Sequence, residues 1–318
     1  MREAGRQPDQ PVQSNLDNLG GRDMDIEYDW LANNPSQEVV TEASNWLSKQ
    51  TKESPSDDMQ ILPPADWRWL KGEQRQVFLQ VMAYFKKLHT SNNRPVLGPL
   101  QIHVDGTAGT GKSFLIWAIS TALRELYADE LVNTNKDPVV RLAPTGVSAF
   151  GIHGWTVNFG LSIPVKEGKE FGQLGQNALN RHQTRWKDAK LLIVDEKSMV
   201  GSAQLGRMDR QLRQAYPHHA DEVFGGIPVI IFGDFAQLPP VGDSPIYSSK
   251  PSRRRVALTS EGHNAFLSFT KSITLSTIYR QAGEDADQIA FREALLGFEL
   301  IQAMRRIINS SQSASGII

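Results

Sequence analysis

The chain has 318 residues, a formal net charge of -1, 40% hydrophobic and 22% charged residues, and no cysteine. These values fit one large globular domain or two modest ones, and they exclude disulfides, thiolate metal sites and cysteine nucleophiles. No apolar run approaches the ~20 residues of a membrane helix, the N-terminal "MREAGRQPDQ" lacks the apolar centre of a secretory signal, and a polyanion partner would need a local basic patch.

Residues 1–62 are polar and rich in Pro, Asn, Asp and Ser, with one helical pattern over 38–50; they read as a flexible N-terminal segment. Folded sequence begins at residue 63. A helix is predicted over 72–89, with Val77, Leu79, Val81, Tyr84 and Phe85 on a broad apolar face. Gln74, at its start in "LKGEQ", carries an amide that can both donate to and accept from an adenine edge.

A strand, "LQIHVDG", leads into "GTAGTGKS", which is Gly106, Thr107, Ala108, Gly109, Thr110, Gly111, Lys112 and Ser113. The spacing is that of a P-loop, and a helix over 113–127 follows. Glycines let the backbone curl so that its N–H groups face phosphate oxygens, and the helix dipole adds positive potential there. Lys112 can reach the β- and γ-phosphates, and the Ser113 hydroxyl can ligate Mg2+.

Further strands are predicted over 139–144, 191–196, 228–234 and 272–280, alternating with helical segments. This alternation predicts an α/β fold with a parallel sheet covered by helices on both faces. The strand "LLIVDE" ends in Asp195 and Glu196. The first acid suits Mg2+, and the second can orient or deprotonate an attacking water. Lys197, next along, reads as a surface lysine, and His182, His218 and His219 as ordinary surface residues. "VIIFGDFAQLPPV" is a buried strand that stops at Gly233-Asp234 and then presents Gln237 at the sheet edge where ligands bind. Arg280 closes the last predicted strand, and its guanidinium could stabilise charge on a γ-phosphate.

Taken in order, "LKGEQ", "GTAGTGKS", "APTGVSAF", "LLIVDEKSM", "GDFAQLPPV" and "LSTIYRQ" resemble the successive motifs of the Pif/RecD-like helicases of superfamily one, above all the Pif-type enzymes, including those of Helitron-like elements. The resemblance covers residues 70–291. It implies a RecA-like P-loop NTPase domain in which Lys112, Ser113, Asp195, Glu196, Gln237 and Arg280 surround ATP and Mg2+, with Gln74 on adenine. It further implies 5′–3′ translocation on single-stranded DNA and unwinding of 5′-tailed duplex DNA, with roles in repair, recombination and telomere maintenance. The implied compartment is the nucleus, with the mitochondrion second; no targeting signal is legible.

On the DNA side, Pro144, Thr145, Phe150, Trp155, Thr156 and Asn158 follow a strand end. Hydroxyls and backbone N–H groups there can hold a DNA phosphate, and aromatics can stack on unpaired bases. Asn158 stands where the family has histidine. Basic runs at 180–190 and 250–255 could neutralise further phosphates. The likeness fades near Gly297, so the expected organisation is a motor domain over 63–296 and a divergent tail over 297–318, in a chain truncated before a second RecA-like domain. A nucleotide-gated module that clamps single-stranded DNA or a partner without unwinding is the alternative reading.

Overall fold

The computed structural model describes residues 62–63, 65–90, 98–132, 136–164, 172–248 and 256–279. Among the described residues, six strands form one sheet: β1 (Gln101–Gly106), β2 (Val139–Ala143), β3 (Trp155–Thr156), β4 (Leu191–Val194), β5 (Val229–Gly233) and β6 (Lys271–Leu275). Their order is β3-β2-β4-β5-β1-β6, and every pairing is parallel. Six helices matter for the packing: α1 (Gly72–Thr90), α2 (Lys112–Leu126), α3 (Gly146–Gly151), α4 (Gln176–Trp186), α5 (Ser202–Ala215) and α6 (Val256–Leu267).

A parallel sheet needs cover on both faces, and the period-2 alternation of its strands shows where each side chain goes. Leu191 and Ile193 of β4, with Ile230 and Phe232 of β5, join one core with α1 and α2. Leu192 and Val194, with Val229 and Ile231, join a second core with α4, α5 and α6. Strand β1 breaks this symmetry. Ile102 and Val104 enter the first core, but the alternate positions on the other face are Gln101, His103 and Asp105.

The predicted elements hold with shifted ends. In α1 the buried residues are Gln74, Val77, Phe78, Val81, Met82 and Phe85, a stripe at helical spacing. Leu79 falls off that stripe and is 50% exposed. The last strand stops at Leu275 rather than at 280, because the chain then turns toward the P-loop, where the Tyr279 N–H donates to the Gly109 carbonyl at 2.8 Å. Arg280, the helical pattern over 38–50 and the basic run at 250–255 lie outside the described residues.

Candidate functional site

The C-terminal ends of β1, β4, β5 and β6 open on one edge of the sheet, where an α/β fold places its ligands. The P-loop leaves β1 there. Gly109 and Gly111 adopt φ of 87° and 77°, a region that L side chains avoid. The turn is tight: a Cβ on Gly106 would lie 2.6 Å from Thr110 Oγ1. Gly111 caps α2, so the positive end of a 15-residue helix meets the loop. The Lys112 ammonium donates to the carbonyls of Gly106 (2.6 Å) and Thr107 (3.0 Å), which holds it across the mouth of the cradle.

Gln74 is buried, and its amide nitrogen donates to the Thr110 carbonyl at 2.8 Å. The amide read from sequence as an adenine contact is thus also a strut of the P-loop. A second tether joins the same two regions: the Ser276 hydroxyl, just past β6, donates to Glu73 at 2.6 Å.

Asp195 and Glu196 leave β4 on the same edge. Asp195 is buried and accepts from the Glu196 N–H at 2.9 Å. Burial pushes its carboxyl up to about 6, the neighbouring Glu196 adds to the rise, and the Glu196 N–H bond and Lys112 oppose it. Glu196 itself sits in the left-handed region at φ 53°, which swings the second acid off the strand axis. After β5, Asp234 organises a turn: its Oδ1 accepts from Ala236 N–H (2.9 Å) and its carbonyl from Gln237 N–H (3.1 Å). Asp234 Oδ2 is buried without a hydrogen-bond partner among the described residues.

These groups fit a nucleotide with a divalent cation. The loop has N–H donors, a lysine and a helix N-terminus that would suit phosphates, and Ser113 and the buried Asp195 would offer oxygens to Mg2+. One cavity of about 380 Å³, lined by His89, Tyr127, Lys190 and Tyr216 among others, collects none of the predicted residues.

The DNA-side residues divide. Phe150, on α3 just beyond β2, is 68% exposed, and its ring lies nearly parallel to that of His153 at 6.4 Å. Thr145 caps α3, accepting from Ser148 N–H at 3.2 Å. Trp155 is half-buried on edge strand β3, with the Arg185 guanidinium 5.7 Å from its ring centre. Thr156 accepts from Phe159 N–H, and the Asn158 amide donates to the Ile163 carbonyl, so both are engaged by local backbone. Pro144 is half-buried where β2 ends. The basic run at 180–190 is largely an amphipathic helix whose buried face includes His182 and Trp186.

Two sequence readings are corrected. His182 is not a surface residue: it is 1% exposed, and its Nε2 bonds the Gln211 carbonyl at 3.0 Å. Lys197 is not a surface lysine either. Its side chain is 1% exposed, contacts the Asp105 carboxylate and His103 Nε2, donates to the Val104 carbonyl at 3.1 Å, and lies 4.6 Å from the centre of the Phe235 ring. Burial lowers its pKa to about 8, against the pull of Asp105. The signal that could have found it is the polar face of β1, which a buried lysine was needed to match.

A parallel α/β sheet with a P-loop, an acid pair and a glutamine turn on one edge defines a P-loop NTPase of RecA-like architecture. Within that class the chain belongs to the PIF1-like helicase family, which it matches over residues 69–312. It is 30% identical over 193 residues to the ATP-dependent DNA helicase PIF1 of Candida albicans, covering 60% of this chain and 20% of that protein. It is 29% identical over 216 residues to the ATP-dependent DNA helicase RRM3 of Saccharomyces cerevisiae, covering 67% and 28% respectively. Against the crystal structure of Pif1 helicase from Candida albicans the TM-score is 0.48, at 28% identity, covering 68% of this chain and 41% of that one. The chain therefore matches only 20% to 28% of the length of these curated relatives.

Proposed function

We propose that this chain carries the ATP-binding motor domain of an ATP-dependent DNA helicase, one that couples ATP hydrolysis to 5′–3′ movement along single-stranded DNA and opening of 5′-tailed duplexes. The observation that carries this reading is the convergence of the P-loop, the Asp195–Glu196 pair and the Gln237 turn on a single sheet edge. Membership of the PIF1-like family supports coupling to DNA. In this assignment the motor domain spans 63–296, with 1–62 and 297–318 as flanking segments, and the work is nuclear, in repair, recombination and telomere maintenance.

The residues divide the labour. Lys112 and the P-loop N–H groups hold the phosphates, and Ser113 and Asp195 hold Mg2+. Glu196 orients and deprotonates the attacking water. Gln237 and Arg280 meet the terminal phosphate, where hydrogen bonds and positive charge stabilise the transition state. Gln74 contacts the adenine and braces the P-loop through the Thr110 carbonyl. Phe150 is the exposed ring best placed to stack on an unpaired base, and backbone N–H groups after β2 would hold a DNA phosphate, the Thr145 hydroxyl being engaged by Ser148.

The test is MgATP turnover by the chain, with and without an unpaired oligonucleotide. Turnover should be present, should rise with single-stranded DNA, and should disappear in Lys112→Ala. A chain that binds no nucleotide, or one whose turnover survives Lys112→Ala, refutes the assignment.

A further inference from the structure

Strand β1 is interior to the sheet, between β5 and β6, yet its face away from α1 and α2 carries Gln101, His103 and Asp105. The partner of that polar stripe is Lys197, the residue directly after the acid pair. A lysine this deeply buried carries a desolvation cost that must be offset locally. Here the compensation comes from three directions. Asp105 meets the ammonium from β1, and His103 Nε2, which touches the ammonium, also lies 3.0 Å from Asp105 Oδ2 and so helps hold that carboxylate in place. The Val104 carbonyl accepts from it at 3.1 Å. The Phe235 ring covers it from the turn after β5, and His103 packs against that ring, with centroids 5.3 Å apart.

Each contact leads to a different part of the candidate site. Asp105 immediately precedes Gly106, the first residue of the P-loop. Lys197 follows Glu196 and shares its turn, in which the Glu196 carbonyl accepts from Met199 N–H at 3.0 Å. Phe235 lies inside the Asp234–Gln237 turn. The acid-pair turn and the end of β5 are also pressed together. Gly233 sits at φ 145°, and a Cβ there would come within 2.7 Å of the Lys197 backbone nitrogen. A single ammonium thus joins the entry to the P-loop, the acid pair and the glutamine turn.

We propose that Lys197 is a positioning residue for nucleotide hydrolysis, holding the acid-pair turn and the Phe235–Gln237 turn in register with the P-loop through Asp105, His103 and the Phe235 ring. This rests on the ATP-hydrolysing assignment above. Lys197 touches no reacting atom; it acts by fixing where Glu196 and Gln237 sit. Loss of that register should affect the transition state more than ground-state binding, because the P-loop itself keeps its own hydrogen bonds.

The test uses the full chain as Lys197→Met, which keeps length and removes charge, together with Lys197→Arg and the double variant Lys197→Met/Asp105→Asn. The readouts are kcat and KM for MgATP, affinity for MgADP with and without aluminium fluoride, and the unfolding midpoint. Lys197→Met should lower kcat by about tenfold or more, since small misplacements of reacting groups cost up to ~100-fold. KM and MgADP affinity should stay within about twofold, and the extra affinity conferred by aluminium fluoride should be lost. Lys197→Arg should recover most of the turnover. Should Lys197→Met fail to fold, the double variant, in which neither charge is left buried alone, is read the same way. Unchanged kcat in a folded variant overturns the proposal, as does a parallel fall in kcat, MgADP affinity and midpoint, or failure of both variants to fold. If Lys112→Ala abolishes turnover while Lys197→Met is inert, only this inference falls. If the unaltered chain binds no nucleotide, the functional assignment falls and takes the inference with it.

Discussion

Gly111→Ala should destabilise the chain through two separable effects. The backbone there is left-handed, at φ 77° and ψ 27°, which costs an alanine roughly 1–2 kcal/mol. The new methyl would also sit 2.3 Å from Gln74 Nε2, so the amide must move and give up its 2.8 Å bond to the Thr110 carbonyl. Losing a buried hydrogen bond of this kind costs about 1 kcal/mol, and the total is roughly 2–3 kcal/mol. A double-mutant cycle separates the terms. In a Gln74→Ala background the clash is gone, so Gly111→Ala should cost only the backbone part, and the two substitutions should fall short of additivity by about 1 kcal/mol. Urea unfolding of the four proteins gives the numbers, and MgADP titration shows whether the strut also shapes the nucleotide site. Costs that add to within ~0.5 kcal/mol would refute the idea that Gln74 braces the P-loop through this contact.

Asp137→Ala should be among the costlier substitutions. Asp137 is 3.0 Å from the fully buried Arg141 guanidinium, is bonded by Arg124 Nε at 2.8 Å, and caps the start of β2 by accepting from Val139 N–H. Removing it leaves Arg141 under-compensated, at a cost of about 3–5 kcal/mol in denaturant unfolding. His182 gives a pH signature. Burial holds its pKa below the ordinary value of 6.5, with the Gln211 bond opposing. A depressed folded-state value means that its contribution is complete above pH ~6.5 and is lost as pH falls toward the folded pKa. Unfolding midpoints measured from pH 7.5 down to 5.5 should therefore fall less steeply in His182→Gln than in the unaltered chain.

The sheet was legible because strands buried on both faces appear as unbroken apolar runs, and the P-loop was legible because few other spacings of glycine, lysine and serine curl a backbone around phosphate. Strand β3 escaped notice because two residues carry no period. The strand ending in "SITLSTIYR" looked longer than it is: its β-branched and aromatic residues continue past Leu275, while tertiary contact with Gly109 redirects the backbone. Lys197 reads as a surface residue in the sequence because a charge beside two acids usually faces water, and only the placement of β4 and β5 beside β1 shows otherwise. His182 could have been recognised from Trp186, four residues on along the same helix face. Among the DNA-side residues, sequence alone could not separate Phe150, which is exposed, from Thr156 and Asn158, whose side chains are spent on nearby backbone.

The groups gathered at this sheet edge are proposed to bind and hydrolyse ATP in response to DNA. The most direct measurement compares MgADP binding and MgATP turnover, with and without single-stranded DNA, in the unaltered chain and in Glu196→Gln. Binding should be retained in Glu196→Gln, while DNA-stimulated turnover should be present only in the unaltered chain. Equal turnover in the two proteins, or turnover indifferent to DNA, would contradict the account.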